Sequence, residues 1–225
     1  MNYKIKKLNL YPKLDYNWNH HVFLGMSMNN KVFQSPETLV EIINLLALKS
    51  EACLILVGDY LHRYNEQIFN GISQEDAIKK CQSKGAELKS IFNKTIKENK
   101  LKFNYSYRDT ESFLSHPNFK SKMQRFEKLY LINTKFKELI EYTVDVFLRR
   151  QSEIKIDSIK ARELCVKYLL EEMVIFEILA EEGYIINVYP GNQLPIIKSI
   201  CTGELKEISQ ELEKIQAVEI KFRPK

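Results

Sequence analysis

With 225 residues, 44% of them apolar and 28% charged, and a net charge of +5, the chain has material for one globular domain with a sizeable core. Seven glycines, six prolines and four cysteines exclude a collagen, a low-complexity chain and a disulfide scaffold. Cys53, Cys81, Cys165 and Cys201 form no CxxC and stand near no histidine, so reduced thiols in a cytoplasmic protein are expected, without a metal site. The longest apolar run, 52–57, is far too short to span a membrane. Residues 1–21 are basic and polar, so no signal peptide is expected either.

The first half alternates strand and helix. Residues 21–27, His-Val-Phe-Leu-Gly-Met-Ser, read as a short buried strand ending at Ser27. Ser35, Pro36 and Glu37 then supply an N-cap, a proline at the first helical position and an acid in the first turn. The helix they open is predicted to run to about Lys49, burying Leu39, Ile42, Ile43 and Leu46. A second strand at 52–57 stops at Gly58–Asp59. Ser73 with Asp76 resembles a capping box and opens a helix to about Glu98. Alternation of Leu101, Phe103, Tyr105 and Tyr107 predicts a third strand.

The second half is mostly helical. Helices are predicted at 117–131, 133–150 and 157–182, the last ended by Gly183. A strand at 184–189 is halted by Pro190–Gly191, and a helix at 204–214 precedes a final strand at 217–222. No repeat or long polar linker divides the chain. The predicted fold is a single α/β domain over residues 1–225, with a mainly parallel sheet flanked by helices.

Charge is concentrated. Eight lysines and only two acids, Glu87 and Glu98, lie between Lys79 and Lys102, a local surplus greater than that of the whole chain. Such a helix is either a solvated face or a site for a polyanion.

Open α/β sheets bind ligands beyond the carboxyl ends of their strands, where Ser27 and Asp59 are predicted to stand. Gly25, two residues before Ser27, lets a ligand approach the backbone. The stretch lacks the second glycine of a GxSxG elbow. His21 precedes the strand instead of facing Ser27, so spacing supports no Ser–His pair, and His20, His62 and His116 form no metal spacing. There is no GxGxxG or Walker loop. Tyr168 and Glu172, four apart, project from one helical face flanked by Leu164, Leu169, Ile175 and Leu179. A carboxylate in such apolar surroundings suits an ammonium ligand or a proton relay; the alternative is a solvent-facing pair with Glu171. Tyr189, at a strand end, reaches the same crevice or simply packs.

Together these residues resemble the cyclodipeptide synthases, which make cyclic dipeptides from two aminoacyl-tRNAs. The family signature His-x-aliphatic-aliphatic-Gly-aliphatic-Ser is matched by residues 21–27, with Phe23 and Met26 in aliphatic positions. Tyr-aliphatic-x-x-Glu-x-Pro is matched by 168–174, with Val174 in place of proline. The likeness continues through Phe33, the strand before Asp59, the lysine-bearing helix, Val188–Tyr189–Pro190 and the last strand.

The resemblance implies a Rossmann-like domain similar to the catalytic domain of tyrosyl- and tryptophanyl-tRNA synthetases. The ATP signatures of those enzymes are missing here, and no ATP, metal or other cofactor is implied. It implies Ser27 as nucleophile in a ping-pong reaction, Tyr168 and Glu172 as holders of the amino group, and Tyr189 as a further active-site residue. A family tyrosine falls on Phe119, which has no hydroxyl. Phe23, Gly25, Asn30, Ile55 and Ile175 are implied around the first aminoacyl site. Lys79, Lys80, Lys84, Lys89, Lys94 and Lys97 are implied as contacts of the tRNA acceptor arm. Two family branches differ at positions corresponding to Asn30 and Pro190; Pro190 points to the Tyr-Pro branch, Asn30 to the other. No histidine base for Ser27 is evident from the sequence.

Overall fold

A computed structural model describes residues 3–12, 18, 22–151, 153–205 and 207–224. Its strands are β1 (Tyr3–Tyr11), β2 (Val22–Met26), β3 (Cys53–Val57), β4 (Tyr105–Asp109), β5 (Ile186–Tyr189) and β6 (Gln216–Pro224). Its helices are α1 (Pro36–Lys49), α2 (Arg63–Asn70), α3 (Gln74–Glu98), α4 (Phe119–Ile132), α5 (Thr134–Leu148), α6 (Ser158–Glu181) and α7 (Pro195–Cys201). The strands form one sheet in the order β1-β6-β5-β2-β3-β4. Every pairing is parallel except β1 with β6 at one edge.

Strand alternation divides the core into two layers. Phe23, Leu54, Leu56 and Ala217 face α2 and α4–α7, whereas Leu24, Met26, Ile55, Val57, Val188 and Val218 face α1 and α3. The caps form where the sequence places them. Ser35 accepts from the Thr38 amide with Pro36 behind it, and Ser73 accepts from the Asp76 amide. All four apolar positions predicted for α1 are fully buried.

Four elements differ from the prediction. β1 was hidden because a bulge between Ile5 and Lys7 breaks its alternation, so that Ile5, Leu8 and Leu10 reach one core layer despite irregular spacing. β4 begins later than the predicted strand, leaving Leu101 and Phe103 outside it. The polar segment after β3 forms α2, whose Arg63, Asn65 and Glu66 are buried through tertiary partners. The predicted helix at 204–214 is not formed; α7 lies earlier, begun by Pro195, and only Leu212–Lys214 makes a short 3-10 helix. Contacts with other elements hold the intervening loop. Ser209 donates to Glu177 Oε1 at 2.6 Å, and Arg125 donates to the Ile208 carbonyl at 2.7 Å.

Candidate active site

β2, β3 and β5 run parallel, so their carboxyl ends gather at one edge of the sheet. There Gly58 closes the β2–β3 gap by donating its amide to the Met26 carbonyl at 3.0 Å. Ser27 leaves β2 in a turn in which the Asn30 amide bonds its carbonyl at 3.2 Å. Over this edge lies α6, buried almost all round from Leu169 to Ala180. Between them is a cavity of about 320 Å³, lined by Gly25, Ser27, His62, Tyr168, Glu172, Ile175 and Tyr189 among others.

The cavity brings together Ser27 and Tyr189, which are 162 residues apart in sequence. The Tyr189 phenol reaches both Ser27 and Asn30. Its ring lies between two glycines: a Cβ on Gly25 would sit 3.6 Å from it and one on Gly191 3.1 Å. Gly191 also has φ +143°, a backbone that favours glycine. Tyr168 donates to Glu172 Oε1 across one helical turn at 3.5 Å, a long bond. The second oxygen, Oε2, is buried with no hydrogen-bond partner. Burial pushes the Glu172 carboxyl up to about 8, against the smaller opposite effect of the Tyr168 hydroxyl. Burial likewise raises the phenols of Tyr168 and Tyr189. A buried, unpaired carboxyl of this kind is suited to a cation carrying its own hydrogen-bond donors.

Several sequence candidates lie elsewhere. Ile55 is fully buried on the opposite sheet face, as alternation from Leu56 requires; Leu56 lines the cavity instead. Phe23 is on the correct face but wholly buried, its ring 5.4 Å from that of Phe176. Phe119 opens α4 within the apolar core and brings no polar group to the cavity. Asn30 stands behind Tyr189, donating to the Pro190 carbonyl at 2.6 Å. Asn30 and Pro190 therefore touch one another.

The sequence missed His62, whose Nε2 lies 3.1 Å from Ser27 Oγ. Spacing along the chain hid the pair because His62 arrives from the turn after β3, not from β2. His20 and His21 lie outside the described residues.

Beside His62, Arg63 turns the other way and pairs with Glu171 through two bonds of 2.9 and 2.6 Å. Tyr64 donates to the same carboxylate at 2.7 Å, and the guanidinium stacks 3.8 Å from the Tyr60 ring centroid. This buried pair ties α2 to α6, so that the adjacent residues His62 and Glu172 both face the cavity. Arg63→Met leaves Glu171 buried without its cation and is expected to cost about 3–5 kcal/mol of stability. Urea unfolding checks this; a loss under about 1 kcal/mol would mean the pair is dispensable.

The lysines of α3 are more engaged than their composition suggests. Lys80 and Lys84 share a face, yet both reach inward to Glu66, at 2.7 and 2.5 Å. Burial works against ionisation of Glu66, but the two ammoniums hold its carboxyl below the ordinary value. Lys79 pairs with Glu75, Lys89 with Asp109, and Lys94 loosely with Glu98 at 3.7 Å. Lys97 has no ion pair among the described residues. No group of three metal-ligating side chains occurs among them, and no helix is long and apolar enough to cross a membrane.

A family model for cyclodipeptide synthases matches residues 16–189. The chain belongs to the cyclodipeptide synthase family. Comparison with curated protein sequences gives no match. The fold is similar to that of a cyclodipeptide synthase from Fluoribacter dumoffii, with a TM-score of 0.80, 21% identity and 99% of each chain covered. A cyclodipeptide synthase from Candidatus Glomeribacter gigasporarum, solved bound to Phe-tRNAPhe, gives 0.70 at 17% identity, covering 94% of this chain and 91% of that one. A Mycobacterium tuberculosis protein, whose structure relates cyclodipeptide synthetases to type I tRNA synthetases, gives 0.67 at 14%, covering 91% and 86%. The sheet and its helices thus have the Rossmann-like architecture related to those synthetases.

Proposed function

We propose that this cyclodipeptide synthase joins two aminoacyl groups from charged tRNAs into a 2,5-diketopiperazine, through esters on Ser27. The observation that carries the reading is the placement of Ser27 and the Tyr168–Glu172 pair on one cavity, with Glu172 Oε2 unpaired. An aminoacyl-tRNA is an activated ester, so acyl transfer needs no ATP. Ser27 Oγ attacks the acyl carbon, the bond to the ribose oxygen breaks, and that oxygen leaves protonated. Glu172 holds the ammonium of the captured residue and takes a proton as the amine becomes nucleophilic. The amine attacks the acyl carbon of a second aminoacyl-tRNA, whose bond to the ribose oxygen breaks to release that tRNA with its hydroxyl protonated, giving a dipeptidyl ester on Ser27. Its free amine then attacks that ester, closing the ring and restoring the hydroxyl. Holding both residues in one cavity supplies a proximity advantage of several kcal/mol, ~7–11 in the best-oriented cases.

Tyr189, between Ser27 and Asn30, orients the nucleophile. Pro190 supports the Tyr-Pro branch and Asn30 the other, and the Asn30 side chain braces the Pro190 carbonyl. Incubation with two charged tRNAs, followed by mass spectrometry, tests the reading. A diketopiperazine is expected; a linear dipeptide or a protein-linked amino acid would instead assign a transferase to another acceptor.

The acceptor arm is proposed to lie along α3, which supports it by charge without reading its sequence. Because Lys80 and Lys84 are also needed by Glu66, the exposed lysines test this better. The double substitution Lys94→Ala, Lys97→Ala is expected to lower the salt dependence of tRNA binding by roughly one to two phosphate contacts. An unchanged slope of log affinity against log salt would put the tRNA elsewhere.

A further inference from the structure

We propose that His62 is the general base for Ser27, held in the required tautomer by Asn65; the assignment rests on Ser27 being the nucleophile. Nε2 of His62 is 3.1 Å from Ser27 Oγ, within direct proton-transfer distance. The other ring nitrogen, Nδ1, is 3.1 Å from Asn65 Nδ2, three residues on along α2. Turning the Asn65 amide by 180°, which exchanges its nitrogen and oxygen at the same site, lets Oδ1 accept the Nδ1 proton and leaves the Nε2 lone pair for the serine hydroxyl.

The ring is held on its other sides. The His62 amide bonds the Gly58 carbonyl at 3.1 Å. Gly58 leaves room for the imidazole, since a Cβ there would meet His62 Cδ2 at 3.0 Å and the Met26 carbonyl at 3.4 Å. Tyr168 meets the ring edge to face, centroids 5.8 Å apart at 85°. The anchor of Arg63 in Glu171 fixes the backbone beside His62.

Its surroundings keep the base unprotonated. Burial pushes the imidazole down to about 4; Glu66 on α2 pulls it up and Lys84 on α3 pushes it down. The other groups near it are Ser27 and Tyr189 from the sheet edge and Tyr168 and Glu172 from α6. At neutral pH the imidazole is therefore free to accept a proton.

The step balances without a co-reactant. As the Oγ–acyl bond forms, the serine proton moves to Nε2; as the acyl–ribose bond breaks, the same proton passes to the ribose oxygen. At ring closure the order reverses, the amine proton reaching Ser27 Oγ through Nε2. His62 thus couples the nucleophile to the leaving group, and the cavity holds a Ser–His–Asn series drawn from β2 and α2.

The test measures the rate of aminoacyl-ester formation on the intact protein with one charged tRNA, by rapid quench and intact mass. His62→Gln, which retains polarity but has no basic nitrogen, is expected to acylate ~10²-fold more slowly or worse. His62→Ala is expected to be equally slow and to recover with added imidazole, a response that a packing role does not give. Asn65→Leu, a second route should the His62 variants fold poorly, is expected to slow acylation about tenfold through loss of the tautomer. Acylation of His62→Gln within threefold of the unmodified rate would overturn the proposal. So would a slow His62→Ala enzyme that ignores imidazole and keeps the unmodified pH profile. If the unmodified protein forms no ester, the nucleophile reading fails first; an ester forming at full rate on His62→Gln removes His62 alone.

Discussion

Ser27→Ala is expected to abolish both the covalent aminoacyl adduct and the cyclic product, with turnover reduced by at least ~10³-fold. The substitution removes one oxygen at the end of β2 and leaves the fold intact, since Ser27 makes its backbone turn with its carbonyl, not its side chain. Charged-tRNA binding should therefore survive, because the proposed tRNA contacts lie on α3. Intact mass spectrometry and a binding titration on the same preparation separate the two effects. Retained cyclic product in the variant would place the nucleophile elsewhere or replace the ester route by direct attack between two bound substrates.

Glu172→Gln has a different expected signature. The adduct on Ser27 should still form, while product falls ~10²-fold or more, because the amide cannot take the ammonium proton. The same residue gives a pH dependence. With its carboxyl raised to about 8 by burial, Glu172 is mostly neutral below that value and becomes the carboxylate above it. Product formation per free enzyme should rise from pH 6 to 8 in the unmodified protein and lose that limb in the variant.

Stability should move the other way. A carboxyl raised on folding contributes stability that is complete below its unfolded value and is lost as pH rises through about 8. Glu172→Gln is therefore expected to melt a few degrees higher than the parent at pH 9 and nearly equally below pH 4. Equal melting temperatures at both pH values would show that the carboxyl is not penalised by burial. The opposed effects on product and on stability are what a site residue kept at energetic cost should show.

Local signals made much of the fold legible. Caps at Ser35 and Ser73 and the apolar runs of β2 and β3 act within a few residues of where they are read. β1 escaped because one bulged residue shifts the phase of alternation. The segment after β3 looks like loop material, since Arg63, Asn65 and Glu66 are costly to bury. Their partners, Glu171 at 108 residues' distance and the lysines of α3, make α2 possible.

The site was legible to a similar depth. A helical four-residue spacing sets Tyr168 beside Glu172, and strand ends direct attention to Ser27 and Tyr189. The serine's histidine partner was not legible, because that contact depends on how the β3–α2 turn lies across β2. The misplacement of Ile55 follows from the two-residue period of a strand: Leu56, one residue later, faces the cavity. Of the eight lysines between Lys79 and Lys102, Lys100 and Lys102 lie beyond α3, and Lys80 and Lys84 are committed to a buried carboxylate that only the fold brings near.

The most direct measurement is a peptide-mapped intact mass of the unmodified protein, quenched after mixing with a single charged tRNA. One added aminoacyl residue, located on the peptide bearing Ser27 and labile to base as an ester, is the expected result. A protein of unchanged mass, or an adduct mapped to any other side chain, would contradict the account.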